Sequence, residues 1–225
     1  MDMFDRLISL IGENSFGKIK HTNILILGIG GVGGYVVESL VRSGIHNLTI
    51  VDKDIIDITN LNRQIIALNS NIGKNKVDEC AKRCIDINPE IKIKSIKKEL
   101  TEDNLQELNL ENYDYVIDCI DDFKTKLSLI KYLIDNNIKF VSSTGTAKKM
   151  HPEMLKITTL AKTEYDPLAR KLRQNLKRYN QNKITVLASI EKPIETESNS
   201  LGSAMFVPAT GGILIASHVI NEIIR

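Results

Sequence analysis

Four glycines in the six residues of "GIGGVG", Gly28, Gly30, Gly31 and Gly33, follow an aliphatic run at 24–27 and precede an amphipathic helical pattern. A strand that ends in such a turn and enters a helix brings free N–H groups and the positive end of the helix dipole to one point, which favours a phosphate. Asp52 stands 19 residues beyond Gly33, at the end of the next aliphatic run. That is the spacing of the acid that binds an adenosine ribose in the dinucleotide fingerprint. These residues alone fit an NAD-binding oxidoreductase.

The residues that follow move the reading toward ATP. "DKDIIDITNLNRQIIALNSNIGKNK" places Asn60, Asn62, Arg63, Gln64, Lys74 and Lys76 just downstream of the ribose acid. Neutral amides and several cations there suit a triphosphate better than a diphosphate bridge. "YVIDCIDDFKTK" adds Asp118, Asp121 and Asp122, and acids facing a triphosphate most naturally hold magnesium, which takes few carboxylates. The glycine loop lacks the GK[ST] ending of a P-loop, which argues against γ-phosphate transfer of that type. ATP with an exposed α-phosphate is the expected ligand.

Such a site needs a sheet to carry it. Strand-like runs at 24–27, 48–51, 91–96, 115–119 and 139–142 alternate with helical patterns near 32–43, 74–87 and 123–136. This predicts an α/β fold, a Rossmann-like mostly parallel sheet with helices on both faces, and ligands off the carboxyl ends of its strands. From residue 144 the pattern changes to shorter strand-like pieces at 155–159 and 185–189, one helix, and the polar stretch "EKPIETESNS", expected to be a mobile loop. The expected organisation is a single adenylating domain over 1–225: an ATP-binding part over 1–145, then a crossover loop, β/α extension and C-terminal helix over 146–225.

Composition bounds the surroundings. With 42% hydrophobic residues, 225 residues bury one substantial core. Thirty basic against 28 acidic residues give a weak overall field, so any nucleic-acid site is local. Cys80, Cys84 and Cys119 form no CxxC pair, which favours neither a disulfide framework nor a structural zinc, and a reducing cytoplasm fits. "MDMFDRLISL" does not read as a secretory signal. The apolar segment 204–220 is interrupted by Pro208, Gly211, Gly212 and His218 and is shorter than the ~20 residues a span needs. A buried or interface helix, with no membrane span, is expected.

"GIGGVG", "VDKDIIDITNLNRQ", "GKNK" and "DCIDD", in this order and spacing, resemble the adenylating enzymes of the ubiquitin-activating superfamily, which include the molybdopterin-synthase and thiazole-pathway adenylyltransferases. "AKTEYDPLARKLRQNLKR" and "SLGSAMFVPATGGILIASHVI" look like the branch that contains the tRNA threonylcarbamoyladenosine dehydratases. The resemblance implies that Gly31 contacts the nucleotide, that Asp52 binds the ribose hydroxyls, and that Asn60, Arg63 and Lys76 hold the phosphates. It also implies that Asp121 binds magnesium. Asp122 stands where relatives often carry Asn. Asp54, Asp57 and Asp118 are read as caps or as residues that order the edge of the site.

Arg6 matches an arginine that in this family reaches across a two-fold dimer into the neighbour's ATP site, so a homodimer is implied. The helical pattern 167–179 sets Leu168, Leu172, Leu176 and Tyr179 on one face and Arg170, Arg173, Lys177 and Arg178 on the other. The basic face suits tRNA phosphates, and the resemblance implies tRNA carrying threonylcarbamoyladenosine as substrate. A sulfur-relay protein is a further partner that the resemblance leaves open, and an adenylyltransferase for the C-terminal glycine of a small sulfur-carrier protein is the alternative activity. The chain has no cysteine after Cys119, which argues against transfer through an enzyme thioester.

Overall fold

A computed structural model describes residues 2–195 and 201–225. The chain enters through two short helices, α1 (Asp5–Ile11) and α2 (Glu13–His21), divided by Gly12 at φ +81°. β1 (Asn23–Leu27), α3 (Gly33–Arg42), β2 (Asn47–Asp52), α4 (Lys76–Ile87) and β3 (Lys92–Lys97) follow. Next come β4 (Tyr115–Asp118), α5 (Phe123–Asp135) and β5 (Phe140–Ser143). The last part supplies β6 (Leu155–Thr159), α6 (Pro167–Asn175), β7 (Thr185–Ser189) and α7 (Phe206–Ile224).

All seven strands form one sheet in the order β3-β2-β1-β4-β5-β7-β6. Every pairing is parallel except β6 with β7, which run antiparallel. The period of two along β1 explains why the sheet is covered on both faces. Ile24 and Ile26 pack with α3, α4 and α7 residues such as Val36, Leu40, Cys80 and Ile215. Leu25 and Leu27 point the other way, into a cluster with Leu105, Leu129 and Leu133. A third cluster joins α5 to α6 through Ile130, Leu172 and Leu176.

One expectation is corrected. The helix expected over 167–179 stops at Asn175, because Gln181 Nε2 donates to the Arg173 carbonyl at 2.8 Å and takes the acceptor that a further turn would have used. Leu168, Leu172, Leu176 and Tyr179 still pack together. At the start of the polar stretch 191–200, Glu191 is buried and accepts from the backbone N–H groups of Met150 and His151. Residues 196–200 lie outside the described residues.

Among the described residues α7 is the one helix long and apolar enough to cross a bilayer, by length and composition. It packs along α3. A Cβ on Gly212 would sit 2.5 Å from the Val32 carbonyl oxygen and 2.7 Å from Tyr35 Cβ, so glycine is what lets the two helices approach.

Candidate functional site

Strand order reverses between β1 and β4, and a cleft of about 970 Å³ opens off the carboxyl ends of the strands around that point. The glycine turn forms its floor. Gly28 takes φ +88°, and a Cβ there would lie 2.7 Å from the Cys119 carbonyl oxygen. A Cβ on Gly33 would lie 1.9 Å from the Gly28 carbonyl oxygen, so α3 can start this close to β1 only without a side chain. Gly30 faces open space and Gly31 faces Pro208 and the Arg63 stem, and both line the cleft.

Asp52 is bolted to this turn. Its Oδ2 accepts the Ile29 N–H at 2.6 Å and its Oδ1 accepts the Asp54 N–H at 2.8 Å, leaving the remaining lone pairs toward the cleft. Asn60 is buried and closes a reciprocal cap with Asp57: Asn60 Oδ1 accepts the Asp57 N–H at 3.1 Å, and Asp57 accepts from Thr59. Arg63 donates to the Thr59 carbonyl at 2.7 Å and to Asn62 Oδ1 at 2.9 Å, and lines the cleft. Gln64 is buried in the same wall, and its Oε1 has no hydrogen-bond partner among the described residues.

Lys76, the first residue of α4, is buried with its Nζ 2.8 Å from Asp54 Oδ2, so the cation is held in a fixed position on the cleft wall. Asn62 instead donates to the Ser203 carbonyl at 2.9 Å and fastens the returning chain over this end. Lys74 is exposed and does not line the cleft.

Beyond β4 the three aspartates separate in role. Asp118 is fully buried: Lys126 Nζ donates to its Oδ2 at 2.6 Å, Ser142 Oγ donates to the same oxygen at 2.6 Å, and Ile120 N–H reaches Oδ1 at 3.0 Å. Asp122 caps α5 through Thr125 N–H at 2.8 Å, and that bond holds its carboxyl below the usual range. Asp121 is exposed at the cleft and has no hydrogen bond to the described residues. Among the described residues no three acid, histidine or cysteine side chains cluster as a metal cage. A lone carboxylate on a cleft wall is compatible with magnesium only where phosphate oxygens and waters complete its ligands.

Other expected residues lie elsewhere. Arg6 is exposed on α1 and does not line the cleft of its own chain. Arg173 donates to the Thr163 carbonyl at 2.8 Å and to the Thr163 hydroxyl, so it braces the entry to α6 and leaves the basic face. Arg170, Lys177 and Arg178 are exposed, the last two beyond the end of the helix. Cys119 sits at the cleft floor, where burial first and the Asp118 charge second push its thiol up to about 12.

Sequence reasoning missed the wall beside β5 and β7, where Gly145, Lys149, Tyr165 and Asp166 line the cleft. The available signal was position: "TGTAKKM" directly follows the carboxyl end of a strand.

A mostly parallel sheet with a glycine turn at its switch point, a ribose-type acid and a rim of amides and cations defines a nucleotide-binding α/β protein. The ThiF family model matches residues 4–224, and the chain belongs to that family. The chain is 34% identical to the tRNA threonylcarbamoyladenosine dehydratase of Bacillus subtilis, covering 100% of this chain and 96% of that protein. Its fold superimposes on the Escherichia coli tRNA N6-threonylcarbamoyladenosine dehydratase, TcdA, in complex with AMP, with a TM-score of 0.94 and 35% identity over 98% of this chain and 93% of that one. The TcdA complex with ATP gives a TM-score of 0.93 at the same identity and coverage.

Proposed function

We propose that this chain is an ATP-dependent adenylating enzyme that cyclises threonylcarbamoyladenosine in tRNA. The observation that carries the reading is the near full-length agreement with TcdA in sequence and backbone, at 35% identity across 98% of the chain. The cleft's chemistry supports it independently. Residues 1–145 supply the nucleotide half and residues 146–225 complete the wall and lay α7 against α3, so the chain works as one adenylating unit.

ATP lies with its phosphates over the glycine turn, where Gly28, Gly30, Gly31 and Gly33 leave the backbone bare. Asp52 receives the ribose hydroxyls and Gln64 accepts from the nucleoside. A carboxylate oxygen of the substrate attacks the α-phosphorus, the bond to the bridging oxygen breaks, and pyrophosphate leaves with the electron pair. Negative charge grows on the α-phosphate oxygens, and Arg63, Lys76 and the Asn60 amide stabilise it from fixed positions. Magnesium, when bound, neutralises the phosphates, and Asp121 would hold it. Asp122 contributes by starting α5 and setting the turn that carries Asp121.

The carbamoyl group of the same modification then attacks the activated acyl carbon and loses a proton, and AMP departs. The net change is the loss of one water. Nucleophile and acyl group share one molecule, so effective molarity replaces an enzyme thiol. In a homodimer Arg6 reaches the neighbour's phosphates, and Arg170, Lys177 and Arg178 contact the tRNA backbone.

The test is mass analysis of nucleosides from tRNA carrying threonylcarbamoyladenosine after incubation with ATP and magnesium. The expected product has lost one water with stoichiometric release of AMP. An unchanged nucleoside, with pyrophosphate exchange driven by a sulfur-carrier C-terminus, would replace this reading with the carrier adenylyltransferase.

A further inference from the structure

Three lysines of the described chain have buried side chains, Lys76, Lys126 and Lys149. Two are matched by carboxylates: Lys76 by Asp54 at 2.8 Å and Lys126 by Asp118 at 2.6 Å. Lys149 has no carboxylate within 4.0 Å among the described residues, and the contact of its Nζ is a donation to the Glu191 backbone carbonyl at 2.5 Å. An ammonium has three donors. One neutral oxygen leaves two donors open and a desolvated charge with no carboxylate in contact, which is costly until an anion arrives.

The two carboxylates whose charge reaches Lys149 are engaged elsewhere. Asp166 accepts the Gly145 N–H at 2.7 Å with Oδ2 and the Ala169 N–H at 3.0 Å with Oδ1. Glu191 accepts the Met150 N–H at 2.9 Å and the His151 N–H at 3.0 Å. Both bind backbone and shape the wall without pairing with the lysine. Burial pushes the Lys149 ammonium below the usual lysine range, and those two acids offset part of that shift. The lysine is preset: its preceding residue, Lys148, is held at φ +58°, with its N–H on the Gly202 carbonyl at 2.8 Å and its carbonyl on the Ile194 N–H at 2.8 Å.

Lys149 lines the same cleft as the glycine turn but follows β5, two strands along the sheet from β1. We propose that Lys149 receives the carboxylate of the acyl substrate in the half of the cleft beside β5 and β7 and holds it for attack on the nucleotide. The inference rests on the adenylation reading above. The occupant of this subsite is a carboxylate and not an ATP phosphate, because the phosphates already have the glycine turn, Arg63 and Lys76 two strands away. The ion pair exists in the ground state and weakens as the carboxylate becomes an acyl phosphate. Its loss therefore acts on KM more than on kcat.

The test uses full-length wild type, Lys149→Met and Lys149→Arg, each confirmed folded by circular dichroism. Replacing an unmatched buried charge by an apolar side chain of similar length is expected to preserve folding. In Lys149→Met, KM for tRNA carrying threonylcarbamoyladenosine should rise ~10- to 100-fold with kcat within ~3-fold, and Lys149→Arg should recover part of the loss. ATP affinity, measured by calorimetry without tRNA, should stay within ~2-fold. As a second readout, the free nucleoside N6-threonylcarbamoyladenosine should compete with tRNA better than its carboxamide in wild type, and that preference should vanish in Lys149→Met. Unchanged KM and preference in folded Lys149→Met overturn the proposal, and so does a loss confined to ATP affinity. If Lys149→Met does not fold, the preference ratio is read in Lys149→Gln against Lys149→Arg, and equal ratios overturn it. Wild type that forms no cyclic product refutes the adenylation reading itself, and the nucleoside competition still reports on Lys149.

Discussion

Lys126 Nζ lies 2.6 Å from Asp118 Oδ2 with both side chains fully buried, directly under the turn that carries Asp121 and Asp122. Ser142 bonds to both partners and ties the pair together. Removing one member strands the other charge in the core. Lys126→Met should destabilise the protein by ~3–5 kcal/mol, and adding Asp118→Asn should recover a large part of that. Urea denaturation of the single and double variants measures it, and strictly additive losses would refute the coupling.

Arg63→Ala and Lys76→Ala should each lower AMP release by ~10²-fold or more while the circular dichroism spectrum is retained, since each removes a cation from the developing α-phosphate charge. Asp54 acts through Lys76, so Asp54→Asn should cost less, on the order of tenfold. Wild-type rates in both cation variants would remove them from the ATP site.

Arg6 does not line its own cleft, so mixing two inactive proteins reads its role. After subunit exchange, Arg6→Ala with Lys76→Ala should regain roughly a quarter of wild-type activity, from mixed dimers with one complete site of two. Proven exchange without recovery would exclude supply across the dimer.

The cysteines should be dispensable. The Cys119 thiol is pushed up to about 12 by burial and Asp118, and Cys80 is raised by its contact with Cys84 and by burial. At about pH 8 the native protein should resist iodoacetamide, because the thiolate is the reactive form. A variant with Cys80, Cys84 and Cys119 replaced by Ala or Ser should still form the cyclic product on tRNA. An acyl-thioester trapped at Cys119 would require a thiol relay.

The nucleotide half was legible because its signals are local. Glycines demanded by a turn, a strand period of two and an acid at fixed spacing are written in short stretches, and β1, β2, β4, α3 and α5 fall within a residue or two of the expected limits. The ending of α6 was not legible, since Gln181 reaches back to Arg173 from outside the helical pattern. Nor were the lysine partners of the aspartates. Asp54, Asp118 and Asp121 look alike in sequence, and only the fold pairs the first with Lys76 and the second with Lys126. The Lys149 wall depends on Glu191 and Asp166, which lie far along the chain, so no window of sequence contains it.

The contact of Pro208 with the glycine turn, and of Gly212 with Tyr35, has a kinetic consequence. The turn that receives the phosphates is encoded early in the chain but is buttressed by the last helix. Closing that long loop carries its entropy cost before any contact repays it, so local sheet and helix pairs form ahead of it. During refolding, competence to bind nucleotide should therefore lag behind the recovery of secondary structure, with docking of the final helix as the step that completes the phosphate turn.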